Sequence, residues 1–349
     1  MGETTHVTLI TGFLGSGKTT FLNRIIQTFP GDLKLMIRMK EFGEIGLDGS
    51  LIEGDDFDIL EISKGSIFCV CVKTDFIRSL NEIAQSIKPD VLIVESTGVA
   101  NPSDLKKDLN LSIFQNRFKL SEQICMIDAD CFEDAYNAFV SVEKQIASST
   151  LFIINKMDLV TAQTVLNLKK IIKKHHPSPE FFETTYADVP LERFIPVINK
   201  QEISKQGINN TGSLNVSDTI PVSPAQLEEA IDNILENPDP DATPPDRLLS
   251  AIYSWEANTI NSFKKILPEL PKEIVRAKGF LTQGDEIFLF NLVMGQRNIE
   301  AYTPKKDITQ LLNHVVFIGP PEAIAKLDKL SRDFPDLIKK SVFDPMENN

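Results

Sequence analysis

A glycine-rich segment near the start of the chain combines the residue types that cradle phosphate groups. It reads G-F-L-G-S-G-K-T-T from Gly12 to Thr20 and fits the pattern G-x-x-x-x-G-K-[ST]. Glycines let the backbone curl so that successive N–H groups point at phosphate oxygens, and a helix beginning near Lys18 would add the positive end of its dipole. The predicted phosphate-binding residues are Gly12, Gly15, Ser16, Gly17, Lys18, Thr19 and Thr20.

A second segment carries a carboxylate that suits a magnesium ion. Glu95 ends the apolar run V-L-I-V, and Ser96-Thr97-Gly98 follows it. A carboxylate in this place holds Mg²⁺ through water, and a glycine N–H three residues later contacts the γ-phosphate. We therefore predict that Thr19 and Glu95 bind Mg²⁺ and that Gly98 contacts the nucleotide. The alternative is that Glu95 is a solvated acid at the end of a strand.

The tetrapeptide Asn155-Lys156-Met157-Asp158 indicates which base is bound. It follows the apolar run L-F-I-I directly. The Asp158 carboxylate can accept two hydrogen bonds from the N1–H and the exocyclic amine of guanine, which adenine does not offer. Asn155 and the Lys156 stem would support the loop and the base. The sequence therefore predicts GTP and GDP as ligands, rather than ATP.

The composition bounds the class of protein. The chain has 349 residues, of which 42% are hydrophobic and 24% charged, and its formal net charge is -13. The acidic balance argues against nucleic-acid and anionic-membrane partners. No apolar run reaches the roughly 18 to 20 residues of a membrane span, and the N-terminus lacks the basic region of a secretory signal. Four cysteines in so long a chain do not suggest a disulfide framework, and we expect reduced thiols and a cytoplasmic protein.

The elements that must position these residues form an α/β pattern. Short β-branched runs alternate with amphipathic stretches, which is typical of a mainly parallel sheet. The fold class predicted is a P-loop NTPase domain with a smaller C-terminal α+β domain. The predicted strands of the first half are 7–10, 33–39, 91–94, 123–127 and 151–154, and its predicted helices are 19–29, 76–87 and 162–174.

Composition shifts divide the remainder of the chain. A polar stretch and the proline-rich segment at 237–246 mark a connection, interrupted by a short helix around Pro224–Leu235. Strands resume after it, with helices predicted at 258–267 and 321–333. The predicted boundaries are 1–203 for the nucleotide domain, 204–246 for the linker and 247–349 for the C-terminal domain.

These motifs, with E-F-G-E-I-G-L-D-G at 41–49 and E-S-T-G-V-A-N-P at 95–102, resemble the CobW family of GTPases, relatives of the HypB and UreG metallochaperones. The segment R-A-K-G-F from Arg276 resembles the smaller C-terminal domain of that family. The resemblance implies GTP hydrolysis coupled to metal delivery to a client enzyme, a switch segment at Glu41–Asp48, and a GTP-dependent homodimer. Lys40 stands where the family usually has Asn.

The metal motif is where the sequence departs from the family. Members read E-L-x-N-G-C-I-C-C, whereas Ser66 and Phe68 replace two of the cysteines here, leaving Cys69, with Cys71 two residues later. Soft divalent ions such as Zn²⁺ or Co²⁺ want thiolate or imidazole ligands. In an extended segment Cys69 and Cys71 would share one face. That face permits a metal clamp, completed by Glu44, Asp48 or another side chain, and equally a pair of buried small hydrophobes. His175 and His176 are expected to be solvated at a helix end.

The reaction predicted is GTP and water to GDP and phosphate. Lys18 and the loop amides would stabilise charge on the transferring group. No glutamine stands where it could position water, so Glu41, Glu44 or a partner's residue are the candidates, and slow intrinsic turnover is expected. Three function classes stay open: a GTP-dependent metallochaperone, a GTPase that activates or remodels a client without carrying metal, and a nucleotide-binding regulator with negligible hydrolysis.

Overall fold

A computed structural model describes most of the chain. The residues described are 4–30, 33–40, 58–62, 70–96, 102–114, 116–194, 222–236, 248–257, 259–304 and 307–343. Within them two separate sheets form, the first from the N-terminal half and the second from the C-terminal part. The predicted fold class, a P-loop NTPase domain joined to a smaller α+β domain, is confirmed.

Seven strands of the described residues make the first sheet, and every pairing in it is parallel. Their order across the sheet is β3-β2-β4-β1-β5-β6-β7. The central strands read as continuous apolar runs because both faces are covered by helices. The strands are β1 (Thr5–Thr11), β2 (Leu35–Lys40), β3 (Asp58–Ile62), β4 (Val91–Glu95), β5 (Phe118–Asp128), β6 (Leu151–Asn155) and β7 (Glu180–Glu183).

Helices connect these strands. The segment predicted as a helix at 76–87 begins six residues earlier and ends in a π-helical turn, Ile83–Ile87. The helices are α1 (Lys18–Thr28), α2 (Val70–Glu82), α3 (Pro102–Leu109), α4 (Phe132–Ala138), α5 (Val140–Ser148) and α6 (Ala162–His175).

The helix that follows the phosphate loop is fixed by its apolar face. Phe21, Leu22 and Ile25 of α1 are completely or almost completely buried against strands β1, β2 and β4 to β6. Burying such a side chain contributes about 1.5–3 kcal/mol each. The N-terminus of α1 is thereby held at the carboxyl end of β1, where the glycine-rich segment lies.

The linker helix, α7 (Pro224–Glu236), packs on the first domain. Its Leu227 and Ile231 are buried in one apolar cluster with residues of α2, including Leu80. An exposed ion pair, Arg78 to Glu228 at 2.8 Å, joins the same two helices. The helix predicted within the linker is therefore present, and it lies on α2, the helix that contains Cys71.

The second sheet is antiparallel throughout, with six described strands in the order β11-β10-β9-β12-β8-β13. One face packs on its two helices. The elements are β8 (Leu249–Trp255), α8 (Ile260–Ile266), β9 (Arg276–Gln283), β10 (Glu286–Val293), β11 (Gln296–Ala301), β12 (His314–Gly319), α9 (Pro321–Asp333) and β13 (Leu337–Phe343).

The other face of the second sheet meets the first domain. A single apolar cluster contains Phe13 and Leu14 of the glycine-rich segment together with Ile252, Phe280 and Val316 of the second sheet. The second sheet therefore packs against the glycine-rich segment. Among the described residues, no helix combines the length and the apolar character needed to cross a membrane.

Candidate functional site

The glycine-rich segment forms a tight loop between β1 and α1. Gly12, Gly15 and Gly17 have φ angles of 135°, 79° and 101°, a region that L-residues rarely adopt. A Cβ on Gly12 would lie 2.2 Å from the Met126 carbonyl oxygen, and one on Gly17 would lie 2.4 Å from the Asn155 amide nitrogen. Only glycine fits at both places. Because Gly17 is the N-cap of α1 and has no side chain, the first amides of the helix are left to face a ligand.

The lysine of the loop lies within the loop itself. Lys18 is buried, and its ammonium donates to the carbonyl oxygens of Gly12 at 2.8 Å and Phe13 at 3.1 Å. The Ser16 hydroxyl is fully buried and has no hydrogen-bond partner in the described part of the chain. An inward cation, uncapped amides and an orphaned hydroxyl form a cradle that fits an anion such as a phosphate group.

The predicted magnesium carboxylate lies next to this loop. Glu95 is buried at the end of β4, and its Cα pairs with Ile10 of the neighbouring strand β1, two residues before Gly12. The Ser96 amide then donates to the Ile10 carbonyl at 2.9 Å, which continues the pairing towards the loop. Thr19, half-buried in the first turn of α1, supplies a hydroxyl. A carboxylate and a hydroxyl are oxygen ligands of the kind Mg²⁺ prefers.

Several predicted residues lie outside the described residues. They are Glu41, Glu44, Gly98 and Cys69. Their predicted roles in water positioning, γ-phosphate contact and metal binding stay predictions.

Asn155 connects the phosphate loop to the predicted base loop. It ends strand β6 and is buried. Its Nδ2 donates to the Ser16 carbonyl at 3.0 Å, and its Oδ1 accepts from the Ala187 amide at 3.0 Å. One side chain therefore fixes the loop that suits phosphate relative to the loop that suits the base.

Lys156 is held by a partner that the sequence did not indicate. Its backbone is left-handed, with φ of 62°, and its ammonium lies 2.5 Å from Oδ2 of the buried Asp128. The other carboxylate oxygen of Asp128 accepts from the Asp130 amide at 3.2 Å. Burial, together with the nearby Asp128 carboxylate, raises the pKa of Asp130. The Lys156 side chain is thereby fixed by its backbone at one end and by Asp128 at the other, so that its stem can form one wall of a base site.

Asp158 presents a carboxylate that is ready for a ligand. It lies in a 3₁₀ turn, Met157–Leu159, and is exposed. Within the described residues it makes no hydrogen bond. An unengaged carboxylate at the end of a late strand fits the paired N–H donors of guanine.

The loop that follows β7 was not predicted from the sequence. The Thr184 carbonyl accepts from the Met157 amide at 3.1 Å, and the Thr184 hydroxyl donates to the Asp188 carbonyl at 2.8 Å. Tyr186 and Ala187 follow with φ of 54° and 55°. The segment T-T-Y-A contains neither glycine nor a charge, so no motif marked it. Its available signal was a run of threonines directly after a short aromatic strand.

The side chains that the structure describes include no metal site. Cys71 lies in the first turn of helix α2 and not in an extended segment. The strand conformation in which Cys69 and Cys71 would share one face is therefore not present at Cys71. No group of three or more His, Cys, Asp or Glu suited to a metal occurs among the described residues. Cys125 and Cys131 are buried free thiols, and burial raises both pKa values, that of Cys125 to about 12.

The expectation for the two histidines at the end of α6 was wrong. Both are half-buried rather than solvated. The His175 Nε2 atom lies 2.8 Å from the Tyr136 hydroxyl, and the ring of His176 packs edge-on against Phe152. They are held by aromatic neighbours on α4 and β6.

Family models match both halves of the chain. Residues 6–183 match the CobW/HypB/UreG nucleotide-binding domain, and residues 254–333 match the cobalamin synthesis protein cobW C-terminal domain. The chain belongs to the CobW/HypB/UreG family. The resemblance inferred from its motifs is confirmed. Strands β2 to β7 lie within the first matched range and strands β9 to β12 within the second.

Two curated relatives of this chain have names that refer to zinc. The zinc-regulated GTPase metalloprotein activator 1 of Dictyostelium discoideum is 25% identical over 231 residues, covering 55% of this chain and 48% of the relative. The zinc chaperone YeiR of Escherichia coli is 30% identical over 167 residues, covering 48% of this chain and 51% of the relative. The chain thus spans about half the length of these curated relatives. The zinc-bound YjiA GTPase from E. coli aligns over 94% of this chain and 99% of its own at 19% identity, with a TM-score of 0.42.

Proposed function

We propose that this protein binds GTP with Mg²⁺ and hydrolyses it slowly to GDP and phosphate, as a switch in the delivery of a metal ion to a client protein. The observation that carries the nucleotide half is the placement of Asn155, whose amide bonds both the Ser16 carbonyl and the Ala187 amide. These two bonds connect the phosphate loop to the segment that follows β7, and Asp158 lies three residues after Asn155, which supports one site for phosphate and base. Membership of the CobW/HypB/UreG family supports the same assignment.

Each residue of the site has a distinct task in this proposal. Lys18 and the loop amides hold the phosphates and stabilise the charge that develops during transfer. Thr19 and Glu95 would hold Mg²⁺, which neutralises phosphate charge when it is bound. Asp158 reads the guanine edge, and Asn155 and Lys156 keep its loop in place. Glu41 and Glu44 remain candidates for positioning the attacking water.

Calorimetry with GDP, a non-hydrolysable GTP analogue and ATP, each with Mg²⁺, tests the nucleotide assignment. The guanine nucleotides are expected to bind and ATP to bind much more weakly. Lys18→Ala is expected to abolish binding, and Asp158→Asn to shift the preference towards xanthine nucleotides. Equal affinities for ATP and GTP would overturn the base assignment, and basal phosphate release of many turnovers per second would overturn the slow rate.

The metal half of the proposal rests on the names of the relatives and on the two cysteines that remain. Zn²⁺ or Co²⁺ titrated into the protein with and without the GTP analogue is expected to bind stoichiometrically, and Cys69→Ala with Cys71→Ala to abolish that binding. Ser66 and Phe68 stand where the family has cysteines, and this favours the second candidate, activation of a client without carriage of metal. Absence of metal binding in both nucleotide states would select that candidate.

Assembly, location and domain limits belong to the same proposal. A homodimer that forms only with GTP is expected, and light scattering with GDP and with the analogue tests it. We infer a cytoplasmic protein, and fractionation of cells tests that. Domain limits of 1–203, 204–246 and 247–349 are tested by limited proteolysis, which is expected to cut first within 204–246.

A further inference from the structure

Tyr186 is exposed in a way that folding alone does not explain. Its side chain is 71% exposed, more than any other large hydrophobic residue of the described chain. In the described part of the chain its hydroxyl makes no hydrogen bond and its ring makes no ring contact. A tyrosine usually buries its ring and lets the hydroxyl find a partner. Tyr186 does neither.

The backbone that carries this ring is costly to hold. Tyr186 and Ala187 are two consecutive L-residues in the left-handed region, which glycine or asparagine normally occupies. The ring gains no packing in return, because it is exposed. Such strain is found where a ligand or a switch uses it.

Hydrogen bonds on both sides of Tyr186 keep its loop in that shape. The Thr184 carbonyl accepts from Met157, and the Ala187 amide donates to Asn155. On the far side, Asp188 accepts from Arg24 of α1 at 2.9 Å. The loop is therefore fixed to α1 and to both sides of Lys156, so Tyr186 is presented by a rigid frame.

That frame lies along the segment predicted to read the base. Thr184 and Ala187 make hydrogen bonds to Met157 and Asn155, the two neighbours of Lys156 in the chain. Asp158 follows Met157 directly. Lys156 itself is turned to Asp128. An exposed aromatic ring and an unengaged carboxylate on two loops that are bonded to each other offer the two contacts that a purine uses, one on its flat face and one on its edge.

We propose that the ring of Tyr186 stacks on the guanine base whose edge Asp158 recognises. The proposal rests on the proposed function and deepens it, because it assigns the flat face of the base to a residue outside the N-K-M-D motif. Tyr186 is then a determinant of affinity for the base and has no part in holding phosphate.

Two ligands separate these roles. Affinities for GDP and for pyrophosphate are measured by calorimetry with Mg²⁺ for the parent, Tyr186→Ala and Tyr186→Phe. Stacking on an aromatic side chain predicts that Tyr186→Ala weakens GDP binding between about fivefold and about a hundredfold. Tyr186→Phe keeps the ring and is expected to bind GDP as the parent does. Pyrophosphate, which has no base, is expected to bind all three proteins equally.

Control variants guard against an effect on folding. Alanine retains the Cβ, so the backbone cost at residue 186 is unchanged and the unfolding temperature without nucleotide is expected to stay the same. Leu166→Ala removes another exposed apolar side chain, 54% exposed on α6, and is expected to leave GDP affinity unchanged.

A spectroscopic readout addresses contact directly. The only tryptophan of the chain, Trp255, is buried in the second sheet, so Tyr186→Trp adds a second and exposed fluorophore. Addition of GDP is expected to quench its emission beyond any change seen in the parent, and pyrophosphate is expected not to.

The outcomes distinguish this inference from the function on which it rests. If the parent does not bind GDP, the proposed function fails and this inference fails with it. If the parent binds GDP and Tyr186→Ala binds it equally well, only the stacking proposal is overturned. Equal weakening of GDP and pyrophosphate would also overturn it, because the residue would then act by shaping the loop.

Discussion

A methyl group added at residue 15 would test the contact between the second sheet and the phosphate loop. Gly15 has φ of 79°, and a Cβ there would lie 2.5 Å and 2.7 Å from the two methyl carbons of Val293. The left-handed backbone costs an L-residue about 1–2 kcal/mol, and overpacking a closed contact costs about 1–3 kcal/mol. We therefore expect Gly15→Ala to lower the free energy of unfolding by about 2–5 kcal/mol.

Only the second of these costs depends on Val293, so a double-mutant cycle separates them. Val293→Ala removes both methyl carbons and leaves its Cβ 3.1 Å from the new one. In that background the cost of Gly15→Ala is expected to fall by about 1–3 kcal/mol, while the backbone cost persists. Urea unfolding of the parent, the two single variants and the double variant gives the interaction free energy.

A matched control lies at the far edge of the same sheet. Val342 of β13 is partly exposed and is separated from β10 by three strands, so Val342→Ala is not expected to rescue Gly15→Ala. If Gly15→Ala costs the same in the parent as in the Val293→Ala background, the second sheet does not press on the loop and the reasoning is refuted. Equal rescue by Val342→Ala would refute it as well.

Three further changes follow from contacts of the described residues. Asn155→Ala leaves two buried backbone groups without partners and is expected to lower the free energy of unfolding by about 2–4 kcal/mol, whereas the exposed Asn298→Ala is expected to change it little in the same denaturation assay. Ile231→Ala is expected to cost about 2–4 kcal/mol and Glu228→Ala less than about 1 kcal/mol, and comparable losses would contradict apolar docking of α7. Burial lowers the pKa of His6, so the unfolded chain takes up a proton near pH 6.5 before the folded one does. Stability is therefore lost as the pH falls through that range. The unfolding midpoint of His6→Gln is expected to depend less on pH there.

The sequence predicted the elements whose burial is dictated by their own residues. Strands β1, β4 and β6 are buried along almost their whole length, and the structure places them within one or two residues of the predicted limits. Helix α9 occupies the same range as predicted, 321–333, because its apolar residues recur at helical spacing. The glycines of the phosphate loop were predictable for the same kind of reason, since no other residue fits their backbone.

The strands that were not predicted lie at the edges of the sheets. β7 reads E-F-F-E and β11 reads Q-R-N-I-E-A, and neither has the apolar run or the alternation that marks a buried strand. Their structure comes from pairing with the neighbouring strands β6 and β10. Asp128 was missed for a similar reason, because its partner Lys156 is 28 residues away and only the parallel pairing of β5 with β6 brings them together.

Asn155 connects the two halves of the proposed nucleotide site. The side-chain amide of Asn155 bonds both Ser16 and Ala187. A shift of the base loop that lengthens these bonds beyond hydrogen-bond distance would therefore remove the hydrogen bond from Asn155 to the phosphate loop. A Cβ on Gly15, one residue before Ser16, would lie 2.5 Å from a methyl carbon of Val293 in the second sheet. In the function proposed above, binding of nucleotide and placement of the second sheet therefore both depend on the glycine-rich loop. Such coupling is reciprocal. If a partner displaced the second sheet and changed the affinity for nucleotide by some factor, nucleotide would change the affinity for that partner by the same factor.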